Sequence, residues 1–459
     1  MKRLAFLGGG VALALTALPT IAFAQTPAER LQALEERLLV LESELAQYKE
    51  AAVQQRVAEL EAEKNKKPRG TFELRPAPRF TSDDKKFSFR LRGRAEMDYA
   101  AFNIRKGPRD FNSGTELRRA RLGIDGTMFS DWQYRLEADF AGAGRDDSNT
   151  QEVDINDAYV RYAPKDASYF VTIGQHKTPN GLEQLASSPN LTFLERSNAS
   201  SAFLDRRTAG GDRKFGVSYT YQGANWTATA GVFGQNLALS GAPVGATPIP
   251  DESYGVAARV TWAPIQEETR WIHLGASGYY RDTKGQKAIR FGDRPEVRVD
   301  NVRTVDTGNV AADSYYFAGA EAAAAFGPFS VQGEYMSTWV DRTSGPKVSF
   351  DGGYVALSYV ITGETVGYKN GVVEGVKPKA NFSPSSGGWG AWQIAARYSF
   401  IDLNDLTVLG GKEDNITVAL NWWINPNLRT SFNYVRFDAR RQGVQTAGDA
   451  FAFRVGVNW

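Results

Sequence analysis

Two hydrophobic periods divide the chain. From about Ala28 to Glu63 there is neither Gly nor Pro, and Leu31, Leu34, Leu38, Leu41, Leu45 and Tyr48 recur at alternating spacings of three and four. That spacing predicts an α-helical coiled-coil segment over 25–64, with Glu35, Arg37, Glu42 and Glu44 flanking the seam at e and g positions. The register weakens after Tyr48, where Ala52 and Gln55 follow. A lone helix of this kind is marginal in water, so the seam implies a partner, expected to be the same segment of another copy. Asn65-Lys66-Lys67-Pro68-Arg69-Gly70 and the prolines at 76 and 78 read as a basic, stiff linker over 65–86.

From residue 87 the period becomes two. Phe87, Phe89, Leu91, Gly93 and Ala95 alternate with Ser88, Arg90, Arg92, Arg94 and Glu96. The same split recurs where Tyr134, Leu136, Ala138 and Phe140 oppose Arg135, Glu137 and Asp139. About sixteen such runs follow one another from 87–99 to 449–459. Short links (Ser130-Asp131, Gly223-Ala224, Gly327-Pro328, Asn425-Pro426) alternate with longer ones at 100–115, 176–212, 236–253 and 283–313. An apolar face set against a charged one, with short turns at one end and long loops at the other, is the pattern of a transmembrane β-barrel. The expected fold is therefore all-β: a 16-stranded antiparallel barrel over 87–459, preceded by the coiled-coil helix. Trp226, Trp262, Trp392, Trp422, Phe432 and Tyr434 fall on the outward face, where a soluble sandwich would expose an apolar belt to water. A barrel of this size leaves an aqueous lumen, whereas an eight-stranded one is filled by side chains.

The beginning of the chain is consistent with export. Met1-Lys2-Arg3, an apolar stretch over 4–18 and Ala22-Phe23-Ala24 make a signal peptide over 1–24. Beyond it no uncharged apolar run reaches the ~18 residues of a spanning helix, so insertion falls to strands. An even strand count puts both chain ends, and the helix with them, on the periplasmic side.

Composition narrows the chemistry. The chain has 459 residues, no Cys and two His, which removes disulfides and leaves little for zinc or histidine-based catalysis. His273 shares a strand face with Ser277, too distant along the strand for a direct hydrogen bond. No phosphate-binding loop or metal-ligand pattern is present, so neither an enzyme nor a cofactor is expected. There are 54 basic and 52 acidic residues; without Lys2 and Arg3 the count is even, which argues against a general polyanion or nucleic-acid binder.

At this point the sequence resembles the phosphate-selective porin O and P family. The most specific stretch is Gly181-Leu-Glu-Gln-Leu-Ala-Ser-Ser-Pro-Asn-Leu-Thr-Phe-Leu-Glu-Arg196, preceded by Gly174-Gln175. Glu116-Leu-Arg-Arg-Ala-Arg-Leu-Gly, Arg294-Pro-Glu296, Gly327-Pro-Phe-Ser-Val-Gln-Gly-Glu-Tyr335 and Thr362-Gly-Glu364 support it. The resemblance implies a homotrimeric outer-membrane channel of Gram-negative bacteria whose loop 176–212 folds into the lumen as a constriction. It also implies that the long turn at about 362–388 folds inward.

An anion pathway needs positive charge spread along it, since one very deep site would trap the ion. Arg90, Arg92 and Arg94 share the lumen-facing parity of the first strand, and Arg119 and Arg121 that of the second. Arg94, Arg118 and Arg119 match positions where the family's phosphate channels carry arginines. In the loop at 283–313, Lys284, Arg290, Arg294 and Arg298 share one parity, interrupted by Glu296 and Asp300, and resemble the family's arginine ladder. The constriction loop adds Lys177, Arg196, Arg206, Arg207 and Arg213. Arg196 alternatively pairs with Glu195 or a wall carboxylate and only pins the loop. The family's phosphate-specific members place lysines where this chain has Gln133 and Gln184, and an aspartate where it has Asn156. The resulting expectation is a porin for small anions, phosphate or polyphosphate among them. The rival is a general or sugar-type porin of low selectivity, whose coiled coil trimerises it or tethers it to the cell wall.

Overall fold

Strict alternation of side chains across a pleated backbone makes one face of every strand apolar and the other charged, and here the sheet closes on itself. The computed structural model describes residues 26–64, 70–74, 76–141, 153–204, 212–237, 252–283 and 288–459. The signal peptide, the linker residues 65–69, and Arg206, Arg207 and Lys284 lie outside the described residues.

Helix α1 (Pro27–Lys64) starts with one half of a capping box. The Thr26 amide donates to the Glu29 carboxylate at 3.2 Å, and Pro27 takes the first helical position, where its missing N–H costs nothing. Residues 26–62 are all exposed, including the six seam residues. The helix is thus present, with its seam residues exposed.

The second compact unit starts at Gly70. A short hairpin, Gly70–Glu73 with Arg79–Ser82, pairs onto the start of the first wall strand through Arg79↔Arg90 and Thr81↔Ser88. The sheet therefore reaches further back than residue 87, because Phe72 and Phe80 continue the alternation that Phe89 begins.

Sixteen wall strands follow. They are β1 (Ser88–Lys106), β2 (Gly114–Met128), β3 (Trp132–Asp139), β4 (Asp154–Tyr162), β5 (Tyr169–Lys177), β6 (Arg213–Gln222), β7 (Trp226–Phe233) and β8 (Gly255–Gln266). The second half comprises β9 (Arg270–Asp282), β10 (Val310–Phe326), β11 (Phe329–Arg342), β12 (Val348–Val360), β13 (Ala391–Asp405), β14 (Val408–Asn425), β15 (Leu428–Arg441) and β16 (Val444–Asn458). Each pairs antiparallel with its sequence neighbours, and β16 returns to β1 through Arg454↔Asp98 and Phe453↔Tyr99. Outward aromatics meet across the ladders, as Trp392 stacks on Trp422 with centroids 5.1 Å apart and Phe432 meets Phe453 at 4.6 Å.

One end of the barrel carries short turns and the long excursion between β12 and β13. The other end is uneven. Between β5 and β6 and between β9 and β10 the connections are long, whereas β13–β14 and β15–β16 are joined by residues 406–407 and 442–443 alone. Gln442 and Gly443 take φ of 50° and 79°, the left-handed pair that a two-residue hairpin requires. The expected loop over 100–115 shrinks likewise, since β1 runs on to Lys106 and β2 begins at Gly114.

The closing seam is tight where Gly93 and Trp459 exchange backbone hydrogen bonds at 3.0 and 3.1 Å. A Cβ on Gly93 would fall 2.0 Å from the Trp459 indole. Gly93→Val should therefore cost about 1–3 kcal/mol by overpacking. The expected readout is a lower temperature at which the compact, detergent-resistant species converts to the unfolded one on a gel, with Gly93→Ala affected less.

Candidate functional site

The barrel interior is filled on one side and open on the other. From β5 the chain enters the lumen through α2 (Leu182–Leu185), a 3-10 turn (Ser188–Asn190) and α3 (Asn198–Leu204). Phe203 of α3 packs with Phe291, Tyr315 and Phe350 in one apolar cluster, and Leu182 joins Trp271, Val366, Val373 and Trp423 in a second. The second cluster is built partly from the turn between β12 and β13, which folds inward as expected. In that turn the Trp271 Nε1–H donates to Val366 O at 2.8 Å and Arg259 donates to Gly371 O at 2.7 Å. These two plugs lie mainly against β9–β14 and reach Phe233 of β7 and Ala257 of β8. Beside them lies a cavity of about 740 Å³ bounded by β1–β8, the inward loop, the turn's tip and the connection between β9 and β10.

Charge–charge hydrogen bonds hold the inward loop in place. Glu334 of β11 accepts the amides of Leu182 and Glu183 at 2.6 and 2.9 Å, satisfying two free N–H groups at the start of α2. Arg397 of β13, fully buried, donates to Glu183 at 2.8 Å and Glu296 at 2.5 Å. The centre of the system is Glu195. It receives a bidentate pair from Arg118 at 2.8 and 2.9 Å and a bond from Arg454 at 2.7 Å, with Arg119 at 3.7 Å and Arg298 at 3.9 Å. Burial pushes the Glu195 carboxyl up, and the guanidiniums of Arg118, Arg119 and Arg454 outweigh that, holding it well below the usual carboxylate range.

Of the eleven residues expected along an anion path, Arg92, Arg94, Arg118, Arg119, Arg121, Lys177, Arg196, Arg294 and Arg298 line this one cavity. Two do not. Arg90 forms a bidentate pair with Asp125 of β2, and Arg290 forms one with Asp306 in the outer connection. The nine differ in partners. Arg92 lies 3.0 Å from both Asp125 and Glu137, Arg121 binds Asp139 at 2.7 Å, and Arg119 binds Glu96. Arg196 does pin the loop, though through peptide oxygens of Glu183, Gln184 and Ala186 at 3.0–3.3 Å and not through a carboxylate. The Lys177 ammonium grips the same stretch, donating to the carbonyls of Gln184, Leu185 and Ala186. Arg94 donates to the hydroxyls of Ser187 and Ser188 at 3.0 and 2.7 Å.

Arg135, Arg161 and Arg259 also reach the cavity and were not singled out from the sequence as pathway residues. The available signal is parity, because Arg161 shares a face with Asp157 and Tyr159, and Arg259 with Ala257 and Thr261. Arg161 lies 4.2 Å above the Phe170 ring and donates to Thr172 at 3.0 Å. Of the three departures from the phosphate-specific pattern, Asn156 lines the cavity, Gln184 is buried in the loop, and Gln133 is exposed near the short-turn end.

The model of the family described as phosphate-selective porin O and P matches residues 89–459. The chain is a porin of that family. It is 28% identical over 393 residues to Porin O of Pseudomonas aeruginosa, covering 77% of this chain and 83% of that one. An uncharacterised protein of Caulobacter vibrioides is 32% identical over 389 residues, covering 83% of this chain and 74% of its own length. Among solved structures, the anion-selective porin of Comamonas acidovorans superposes with a TM-score of 0.52 at 12% identity, covering 81% of this chain and all of that one. OmpT of Vibrio cholerae gives 0.52 at 11% identity over 82% of this chain. These two show the shared barrel. This porin is accordingly an outer-membrane channel protein, and its cavity is a stretch of the barrel lumen.

Glu195→Ala would leave Arg118 buried without its partner, a loss of roughly 3–5 kcal/mol. The porin's melting temperature in detergent should fall, and the loop should become open to proteases. Since the folded carboxyl titrates below the unfolded one, its stabilisation is fully present above about pH 4.3 and lost only as the pH falls toward the folded value. Protease resistance of the wild-type loop should thus persist at pH 4.

Proposed function

We propose that this porin passes small anions, phosphate among them, through the cavity between β1–β8 and the inward loop. The charge of the lining carries this reading: fourteen Arg and Lys side chains against eight Asp and Glu. Five of those cations have no carboxylate within ion-pairing distance among the described residues: Lys369 and, on neutral partners, Arg94, Arg161, Lys177 and Arg196. The partners of these last four are hydroxyls, peptide oxygens and an aromatic face, which leave the positive charge uncancelled. In water a unit charge attracts an ion ~4 Å away by about 1 kcal/mol, a fivefold effect on occupancy. Several such groups in sequence favour entry without trapping.

The same lining argues against a tight phosphate site. A desolvated dianion needs charged donors, and most of the other cavity arginines are already committed to Asp or Glu. Gln133 and Gln184 add no charge where lysines would. The second reading, a porin of low selectivity, rests on that pairing. In either case loop 176–212 sets the constriction, both chain ends face the periplasm, and copies assemble as homotrimers in the outer-membrane bilayer. The helical segment then lies in the periplasm, where it joins copies or contacts the cell wall.

Zero-current potentials of the purified porin in planar bilayers under a KCl gradient should carry the sign of chloride permeation. Arg161→Ala should lower the anion-to-cation permeability ratio severalfold, and added phosphate should block chloride current only weakly. Cation selectivity would overturn the proposal, and no selectivity would leave the second reading. Strong block by phosphate would overturn the weak-site part alone.

A further inference from the structure

The exposed seam of α1 carries a charge code. With Leu31, Leu38 and Leu45 at a and Leu34, Leu41 and Tyr48 at d, the g positions are Arg30, Arg37 and Glu44, and the e positions are Glu35, Glu42 and Lys49. In a parallel coiled coil, a g residue faces the e residue five positions later on the neighbouring helix. The three resulting contacts are Arg30 with Glu35, Arg37 with Glu42, and Glu44 with Lys49, and all three are opposite in charge.

Other arrangements fail this test. A slip of one heptad in one direction sets Glu44 against Glu42 of the next copy, and in the other direction sets Arg37 against Lys49. Antiparallel packing over the same span brings e to e and g to g, so Glu35 faces Glu42 twice over and offsets the attraction of Arg37 for Glu44. Topology acts in the same sense, because copies inserted in one membrane send their N-termini to one side. Within the segment the exposed apolar residues are large, with Leu34 at 63% and Tyr48 at 71% exposure, so the seam offers real area to a partner. The code and the seam end together, since the next g residue is Ala51 and the seam continues with Ala52 and Gln55.

We infer that Arg30–Lys49 joins copies of this chain as a parallel, in-register coiled coil. The inference deepens the proposed assembly of the porin and does not depend on which ions it passes. Its partner is a second copy of the same segment, and the g–e′ pairs set orientation and register.

The chain has no cysteine, so single substitutions report cleanly in the full-length porin. Leu38→Cys, at a, and Leu41→Cys, at d, should each form an inter-chain disulfide on mild oxidation in outer-membrane vesicles. Ser43→Cys, at the outward f position, should not. Arg37→Glu in the Leu41→Cys background should reduce the cross-linked fraction severalfold, and adding Glu42→Arg should restore it. Conductance measured on the same preparations tests the channel separately and should stay unchanged. Absence of cross-linking at both Leu38→Cys and Leu41→Cys in a folded barrel would overturn the inference. So would cross-linking at Ser43→Cys equal to theirs, or no response to the charge reversal.

Discussion

A chain that crosses hydrocarbon must pair every backbone N–H and C=O with its own backbone, since no solvent is there to do it. For strands the only complete solution is a sheet without edges, and the return of β16 to β1 supplies it. The rest of the structure follows from that closure. Alternation turns one face of every strand to lipid and the other to the lumen, so the charged residues that the outer face excludes accumulate inside. An interior wall rich in arginine cannot stay uncompensated at close quarters, and the carboxylates on neighbouring strands answer it: Arg92 with Asp125, Arg121 with Asp139, Arg454 with Asp98.

That compensation also places the loop. Glu183, Glu195 and Glu296 arrive in the lumen on segments that are not part of the wall, and each is met by guanidiniums that the wall presents. A carboxylate held by several fixed arginines loses far less to desolvation than one left to a single exposed partner. The apolar clusters around Phe203 and Leu182 then fill the β9–β14 side, so the water-filled part of the lumen is displaced toward β1–β8. The channel is off-centre because the packing is one-sided.

Much of this was legible in the chain. Period-two alternation located the wall, and the inward parity of β1 and β2 marked Arg92, Arg94, Arg119 and Arg121, which line the cavity. What alternation could not show were features without an apolar face. Residues 404–412 and 441–448 fall between runs of alternation and read as loops, yet all but the two-residue turns are ends of strands that extend past the apolar belt, as the pair Asn404↔Leu409 shows. The grip of Lys177 and Arg196 was hidden for a different reason. Its acceptors are peptide oxygens, which every residue carries and no sequence pattern marks. Glu195 drew partners from positions 118, 119, 298 and 454, and only the three-dimensional arrangement brings those together.

The ladder that closes the barrel joins residues far apart in the chain, with Asp98 and Arg454 separated by 356 positions. The entropic cost of bringing such ends together grows only logarithmically with length, so the finished barrel is little penalised. The burden is one of time. β1 is made first and receives its second partner last, so its free edge stays open to any passing strand while the rest of the chain follows. Assembly of this porin therefore calls for an escort that shields the first strand until the final one arrives, and a chain missing β16 would present two bare edges in place of a smaller pore.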